Sequence, residues 1–250
     1  MNRLPWTPLT EPLPLVPQTI HAIHVPLEVD DSLLDRLKLL LSPEEVSRAD
    51  RYKVPLPRRH FIACRATLRR LLATCLNCAA NEVEFDYGPH GKPSLRQPAS
   101  SSNSIQFSVS HSADQALIAV ATNRVVGIDL EQMDSSVRIL KLADRFFSTR
   151  EADELRGLPD CDQLAGFYRG WTSKEAYLKA TGHGLSFPLN KFSVALNPHQ
   201  PPRLLEVVDQ PGELTRWDLR GLDPLPGFAS AVMYEAAPGT TVKQWSLVIE

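Results

Sequence analysis

Between Ile20 and Val25 apolar and polar positions alternate, Ile20, Ala22 and His24 against His21, Ile23 and Val25, which predicts a strand. From Asp30 the period lengthens, and Leu33, Leu34, Leu37, Leu40 and Leu41 fall on one face of a helix predicted over Asp30–Leu41. Ser42-Pro43-Glu44-Glu45 reads as a new helix start, with serine capping and proline in the first helical position. The clearest helix runs from Arg58 to Leu76. It has Phe61, Leu68, Leu72 and Cys75 at helical spacing and a basic remainder of Arg58, Arg59, Arg65, Arg69 and Arg70. A serine-rich stretch around 99–104 is expected to be a mobile loop. Three strand-like runs follow, IQFSVSHS, ALIAVATN and VVGIDLE, expected to form an antiparallel meander that turns at 122–124.

The second half repeats the plan. RFFSTREADEL carries a cap and capping box at Ser148 and Glu151, as LSPEEVSRADR does earlier. A long helix follows in each half, Arg58–Leu76 and Leu164–Ala180, and KFSVALN, LTRWDLR and FASAVMYE read as closing strands. The expected fold is α+β, with two similar halves at 1–128 and 129–250. The hinge lies near Asp129–Asp134, so the strand ending in Asp129 and Glu131 sits where the halves meet, and clefts between domains are preferred ligand sites.

That strand poses a physical question. Val126, Ile128 and Leu130 line one face, and Gly127, Asp129 and Glu131 the other. Two acids side by side repel unless a cation sits between them. Glu175 is a third acid, on the same helical stripe as Leu164, Phe167, Tyr168, Trp171 and Leu178. It reads either as a ligand facing the first two or as the end of a Thr172–Glu175 capping box, in a helix restarted after Gly170. Three carboxylates suit a hard cation such as Mg²⁺, which takes oxygen ligands and keeps places for phosphates. Lys92, Lys174, Lys179 and the arginines from Arg58 onward are then candidate phosphate partners, though each alone also reads as a solvated side chain or a turn.

Composition narrows the classes. The net charge of −2 does not suit a protein that coats nucleic acid. No apolar run is long enough for a membrane span, and the N-terminus has no continuous apolar signal core, so a cytoplasmic protein is expected. Cys64, Cys75, Cys78 and Cys161 are too few and too unevenly spaced for a disulfide framework, and the Cys75/Cys78 pair reads as buried reduced thiols.

Five motifs in order, GKP (91–93), FSVSHS (107–112), VGIDLE (126–131), RFFSTRE (145–151) and WTSKEAYLKATGHGL (171–185), give the chain its resemblance to the 4'-phosphopantetheinyl transferases of the surfactin-synthetase type. The resemblance implies a pseudo-dimer of two α+β halves, the first binding coenzyme A and the second carrying the metal ligands and the catalytic helix. It implies transfer of phosphopantetheine from coenzyme A to a serine of an apo carrier protein, in polyketide, nonribosomal peptide or fatty acid synthesis, by a monomer. Asp129, Glu131 and Glu175 are the implied Mg²⁺ ligands, with Glu175 also the base. Lys92, Ser110, His111, Lys174 and Lys179 are implied to contact coenzyme A, His111 and Lys179 also to assist transfer, and Arg58 or Arg59 to hold the ribose phosphate, with Arg51 and Lys53 as further contributors. Two other classes stay in view: a non-catalytic carrier-binding module and an Mg²⁺-dependent phosphohydrolase.

Overall fold

The structure is a computed structural model that describes residues 6–97, 103–223 and 225–250, Leu185 in its backbone only. The serine-rich stretch thus lies largely outside the described residues. After the short strand β1 (Thr7–Pro8), the alternating segment forms β2 (Thr19–Pro26). Asp30 caps α1 (Asp31–Lys38) by accepting from the Leu33 N–H at 2.8 Å. The helix stops before Leu41 because the N–H groups of Leu39, Leu40 and Leu41 turn to carbonyls three residues back. The Ser42–Glu45 capping box opens α2 (Pro43–Asp50). Next, α3 (Pro55–Leu76) starts ahead of Arg58, with two prolines in the first turn, where no N–H donor is needed.

Two short strands, β3 (Phe85–Tyr87) and β4 (Pro93–Leu95), precede the antiparallel hairpin of β5 (Ile105–Ser112) and β6 (Gln115–Thr122). The second half runs through β7 (Val126–Gln132), α4 (Ile139–Phe146), α5 (Thr149–Gly157) and α6 (Asp160–Thr181). It continues with β8 (Phe192–Val194), β9 (Leu204–Val207), the single turn α7 (Glu213–Arg216), β10 (Trp217–Gly221), β11 (Phe228–Glu235) and β12 (Thr241–Ser246). The expected meander does not form. The free side of β6 is taken by β2, so β7 pairs antiparallel with β11 instead.

The repeat is complete at the level of elements. Among the described residues, strand, three helices and four strands occur twice, the single turn α7 being an addition in the second half, and the core sheets have the matching orders β2-β6-β5 and β7-β11-β10. Each half also repeats one buried ion pair. Glu45 closes the capping box of α2 and takes Arg69 of α3 at 2.6 Å, while Arg69 also donates to the carbonyls of Ala80 and Val83. Glu151 closes the box of α5 and takes Lys174 of α6 at 2.8 Å, while Lys174 donates to the carbonyls of Leu189 and Phe192. The division expected at 128/129 falls inside β7, and β12 returns to pair parallel with β2, giving a five-stranded first sheet, β1-β12-β2-β6-β5.

Four layers result. One face of the first sheet packs on α3, its other face packs on the second sheet, and the far side of the second sheet carries α6. Among the described residues no helix is long and apolar enough to cross a membrane. The cysteines are unbonded; Cys64 is buried, but Cys75 and Cys78 are only half-buried, less than expected.

His21, 1% exposed on β2, has both ring nitrogens committed, to the Pro14 carbonyl at 3.0 Å and the Trp245 indole N–H at 3.0 Å. Burial lowers its pKa from 6.5 to about 4. The folded state therefore binds fewer protons than the unfolded one, and this contribution, full above pH 6.5, is lost as pH falls. Urea unfolding is expected to show a loss of roughly 3 kcal/mol from this group by pH 4. A His21→Gln variant with an unchanged acid dependence would remove His21 from this role.

Candidate active site

Gly127 decides how closely the acid strand and α6 approach. A Cβ built there lies 2.1 Å from the Ala176 carbonyl oxygen and 2.4 Å from the Ala180 nitrogen, so helix backbone rests directly on strand backbone. One turn apart on that helix, Glu175 and Lys179 line the cleft beside β7. On the other side of β7 stands β5, whose alternate residues are serines. Ser108 Oγ accepts from the Ile128 N–H at 3.1 Å. Ser110 donates to Asp129 Oδ1 at 2.8 Å, and Ser112 donates to Glu131 Oε2 at 3.0 Å. FSVSHS is therefore a hydrogen-bonded seam between the halves.

Lys179 supplies the cation the acid pair demands. Its Nζ lies 2.7 Å from Asp129 Oδ1 and 2.8 Å from Ser110 Oγ. Asp129 is buried, and its Oδ2 has no hydrogen-bond partner among the described residues. Burial, and then the charge of Asp129, raise the pKa of Glu131, while hydrogen bonds from Ser112 and Trp171 oppose the rise. Burial and Asp129 likewise raise Glu175, with Lys179 opposing. The unbroken α6 excludes the Thr172 capping box. Thr172 Oγ1 instead donates to the Tyr168 carbonyl at 2.9 Å inside the helix.

Glu175 and Lys179 open onto a cleft of about 290 Å³, shared with Lys92, His90, Phe107, Val109 and Gly182. Lys92 donates to the Ala180 carbonyl at 3.2 Å near the end of α6, and burial lowers its pKa to about 8. A second recess, of about 180 Å³, adjoins at Gly91, Pro93 and Val109 and contains Arg48, Tyr52, Arg65 and His111. His111 is exposed, yet desolvation and then the nearby Lys179, His60 and Arg48 lower its pKa.

Two expectations are corrected. Lys174 does not face a ligand: it is fully buried, with its ammonium against Glu151, two carbonyls and the Phe192 ring. Arg58 pairs with Asp50 at 2.5 Å, and Arg59 turns to Asp31 and the Val29 carbonyl; neither lines the two recesses. The arginines that do are Arg48, near the end of α2, and Arg65, one turn after Phe61. Arg65 Nη1 is buried with no hydrogen-bond partner among the described residues. Arg51 edges a shallow recess with Arg48 and Tyr52, and Lys53 is exposed.

As they stand, no three acidic, histidine or cysteine side chains among the described residues are gathered to hold a metal ion. The donor set nevertheless fits Mg²⁺. It offers carboxylate oxygens only, one of them buried and unpartnered, and two glutamates whose charge the site disfavours. Lys179 is what a metal would have to meet at Asp129.

Comparison with known proteins places the chain in a family. Residues 125–231 match the model of the 4'-phosphopantetheinyl transferase superfamily, and residues 30–123 match that of the 4'-phosphopantetheinyl transferase N-terminal region. The chain is 41% identical over 199 residues to the 4'-phosphopantetheinyl transferase HetI of Nostoc sp., across 80% of this chain and 83% of that protein. A putative 4'-phosphopantetheinyl transferase of Synechocystis sp. is 37% identical over 190 residues, across 76% and 75%. The 4'-phosphopantetheinyl transferase psf-1 of Bacillus pumilus is 31% identical over 164 residues, across 66% and 67%. The two family matches meet between β6 and β7, where the structural repeat begins again. The chain belongs to the 4'-phosphopantetheinyl transferases of the surfactin-synthetase type.

Proposed function

We propose that the cleft transfers the 4'-phosphopantetheine group from coenzyme A to a serine of an apo carrier protein, with Asp129, Glu131 and Glu175 as its acidic centre. One arrangement carries this reading: two acids on β7 face an acid and a lysine on α6 across Gly127, beside a cleft that continues into a basic recess. The serine oxygen forms a bond to the phosphorus next to pantetheine. The bond from that phosphorus to the bridging oxygen breaks, and adenosine 3',5'-bisphosphate leaves with the electron pair.

Glu175, on α6 beside the cleft, takes the serine proton as general base. Asp129, Glu131 and Glu175 would hold Mg²⁺, which when bound offsets charge on the pyrophosphate oxygens. Ser110 fixes Asp129. Lys179 and Lys92 serve the pyrophosphate, while Arg48 and Arg65 receive the ribose phosphate with His111. Carriers of polyketide, peptide or fatty acid synthases, acidic near the modified serine, meet exposed Arg138, Leu140, Lys141 and Arg145 along α4. The reading extends to a cytoplasmic monomer, with one chain supplying both sides of the cleft, coenzyme A held mainly by the first half and the metal by the second.

Glu175→Gln tests the base. Turnover is expected to fall about 10²–10⁴-fold, with coenzyme A affinity changed far less. Equal losses in kcat and affinity would assign Glu175 to binding alone.

A further inference from the structure

The cation that meets the acidic centre is the chain's own. Lys179 bridges three elements, reaching from α6 to Asp129 on β7 and Ser110 on β5. Asp129 is 3% exposed and offers a second, unpartnered oxygen. With Glu131 and Glu175, three carboxylates share one ammonium group, so two negative charges remain when all are ionised. The Lys179 side chain is 29% exposed and lines the cleft, so its ammonium can turn from Asp129 to an anion lying there while α6 stays in place.

Resting on the reading of the cleft as a site for coenzyme A and Mg²⁺, we propose that Lys179 is a placeholder cation, holding Asp129 until a phosphate in the cleft draws its ammonium away and frees Asp129 for the metal. Either ligand then favours the other. A phosphate that engages Lys179 opens Asp129, and a metal at Asp129 repels Lys179 toward the phosphate. Such a coupling is reciprocal by thermodynamic necessity, and typical values are about 5–150-fold in affinity.

Mn²⁺ binding, read from the electron paramagnetic resonance of free Mn²⁺ with and without coenzyme A, tests the proposal without reference to turnover. The unaltered protein is expected to bind Mn²⁺ about tenfold more tightly, or better, once coenzyme A is present. Lys179→Met, with its fold checked by circular dichroism, is expected to bind Mn²⁺ alone about tenfold more tightly than the unaltered protein, and to gain little from coenzyme A. Lys179→Arg, which keeps a cation, is expected to retain weak binding of Mn²⁺ alone. Equal or weaker Mn²⁺ binding by Lys179→Met overturns the placeholder. If that variant does not fold, additive binding of Mn²⁺ and coenzyme A by the unaltered protein overturns it equally. Asp129→Asn separates the two layers of the argument. If Mn²⁺ affinity with coenzyme A survives that change, the metal assignment falls and the placeholder with it. If Asp129→Asn loses Mn²⁺ while Lys179→Met gains nothing, the placeholder alone falls.

Discussion

Gly127→Ala is expected to lower transfer by about a hundredfold or more, because one methyl group parts the acid strand from the acid helix. The added Cβ would stand 2.1 Å from the Ala176 carbonyl oxygen and 2.9 Å from Ala180 Cα, both backbone atoms that no rotamer change can move. The helix must shift bodily. Glu175 and Lys179 move with it, while Asp129 and Glu131 stay on β7, held by Ser110 and Ser112. Overpacking of this kind also destabilises by about 1–3 kcal/mol. The check is kcat on an apo carrier together with a urea melt. A variant that folds with less than about threefold loss in kcat would show that the spacing between β7 and α6 does not govern the reaction.

Lys174→Met is expected to cost about 3–5 kcal/mol of stability, the range for stranding one partner of a buried ion pair. Glu151 would keep its bonds to the Ser148 and Val194 N–H groups but lose its cation, and the Leu189 and Phe192 carbonyls would lose their donor. Removing both partners, Lys174→Met with Glu151→Gln, is expected to recover much of that loss. Coenzyme A affinity of the folded variant should stay near normal. Unchanged stability with tenfold weaker coenzyme A binding would return Lys174 to the ligand site. In the first half, Glu45 and Arg69 offer an independent copy of the experiment.

What could be read without coordinates was local. The capping boxes at Ser42 and Ser148 involve residues three apart and formed as expected, as did the alternation that turns Asp129 and Glu131 away from Val126, Ile128 and Leu130. Choices between distant segments were not legible. The partner of β7 depended on β2 having already taken the free side of β6, and β12 pairs with residues at the other end of the chain. Lys174 reads as a surface lysine because lysines rarely lie buried. Its burial rests on carbonyls in a turn beyond the end of α6, which helical spacing does not reveal. Helical spacing does not single out Arg65 among the arginines of α3, nor point to Arg48 at all, because their recess is closed by β5 and the turn at Gly91, far along the chain. Comparing the halves offered a signal. Arg69 and Lys174 hold equivalent places, so Glu175 corresponds to Arg70 and Lys179 to Thr74. Glu175 and Lys179 are therefore places where the second half departs from the first.

The reaction itself is tested most directly by the intact mass of an apo carrier protein after incubation with this protein, coenzyme A and Mg²⁺, beside samples containing EDTA or the Asp129→Ala variant. A gain of one phosphopantetheine on the carrier, absent from both controls, is the expected result. An unmodified carrier across fatty acid, polyketide and peptide types, with coenzyme A binding confirmed, would contradict the assignment and favour a carrier-binding module. Consumption of coenzyme A with no gain on the carrier would point to hydrolysis.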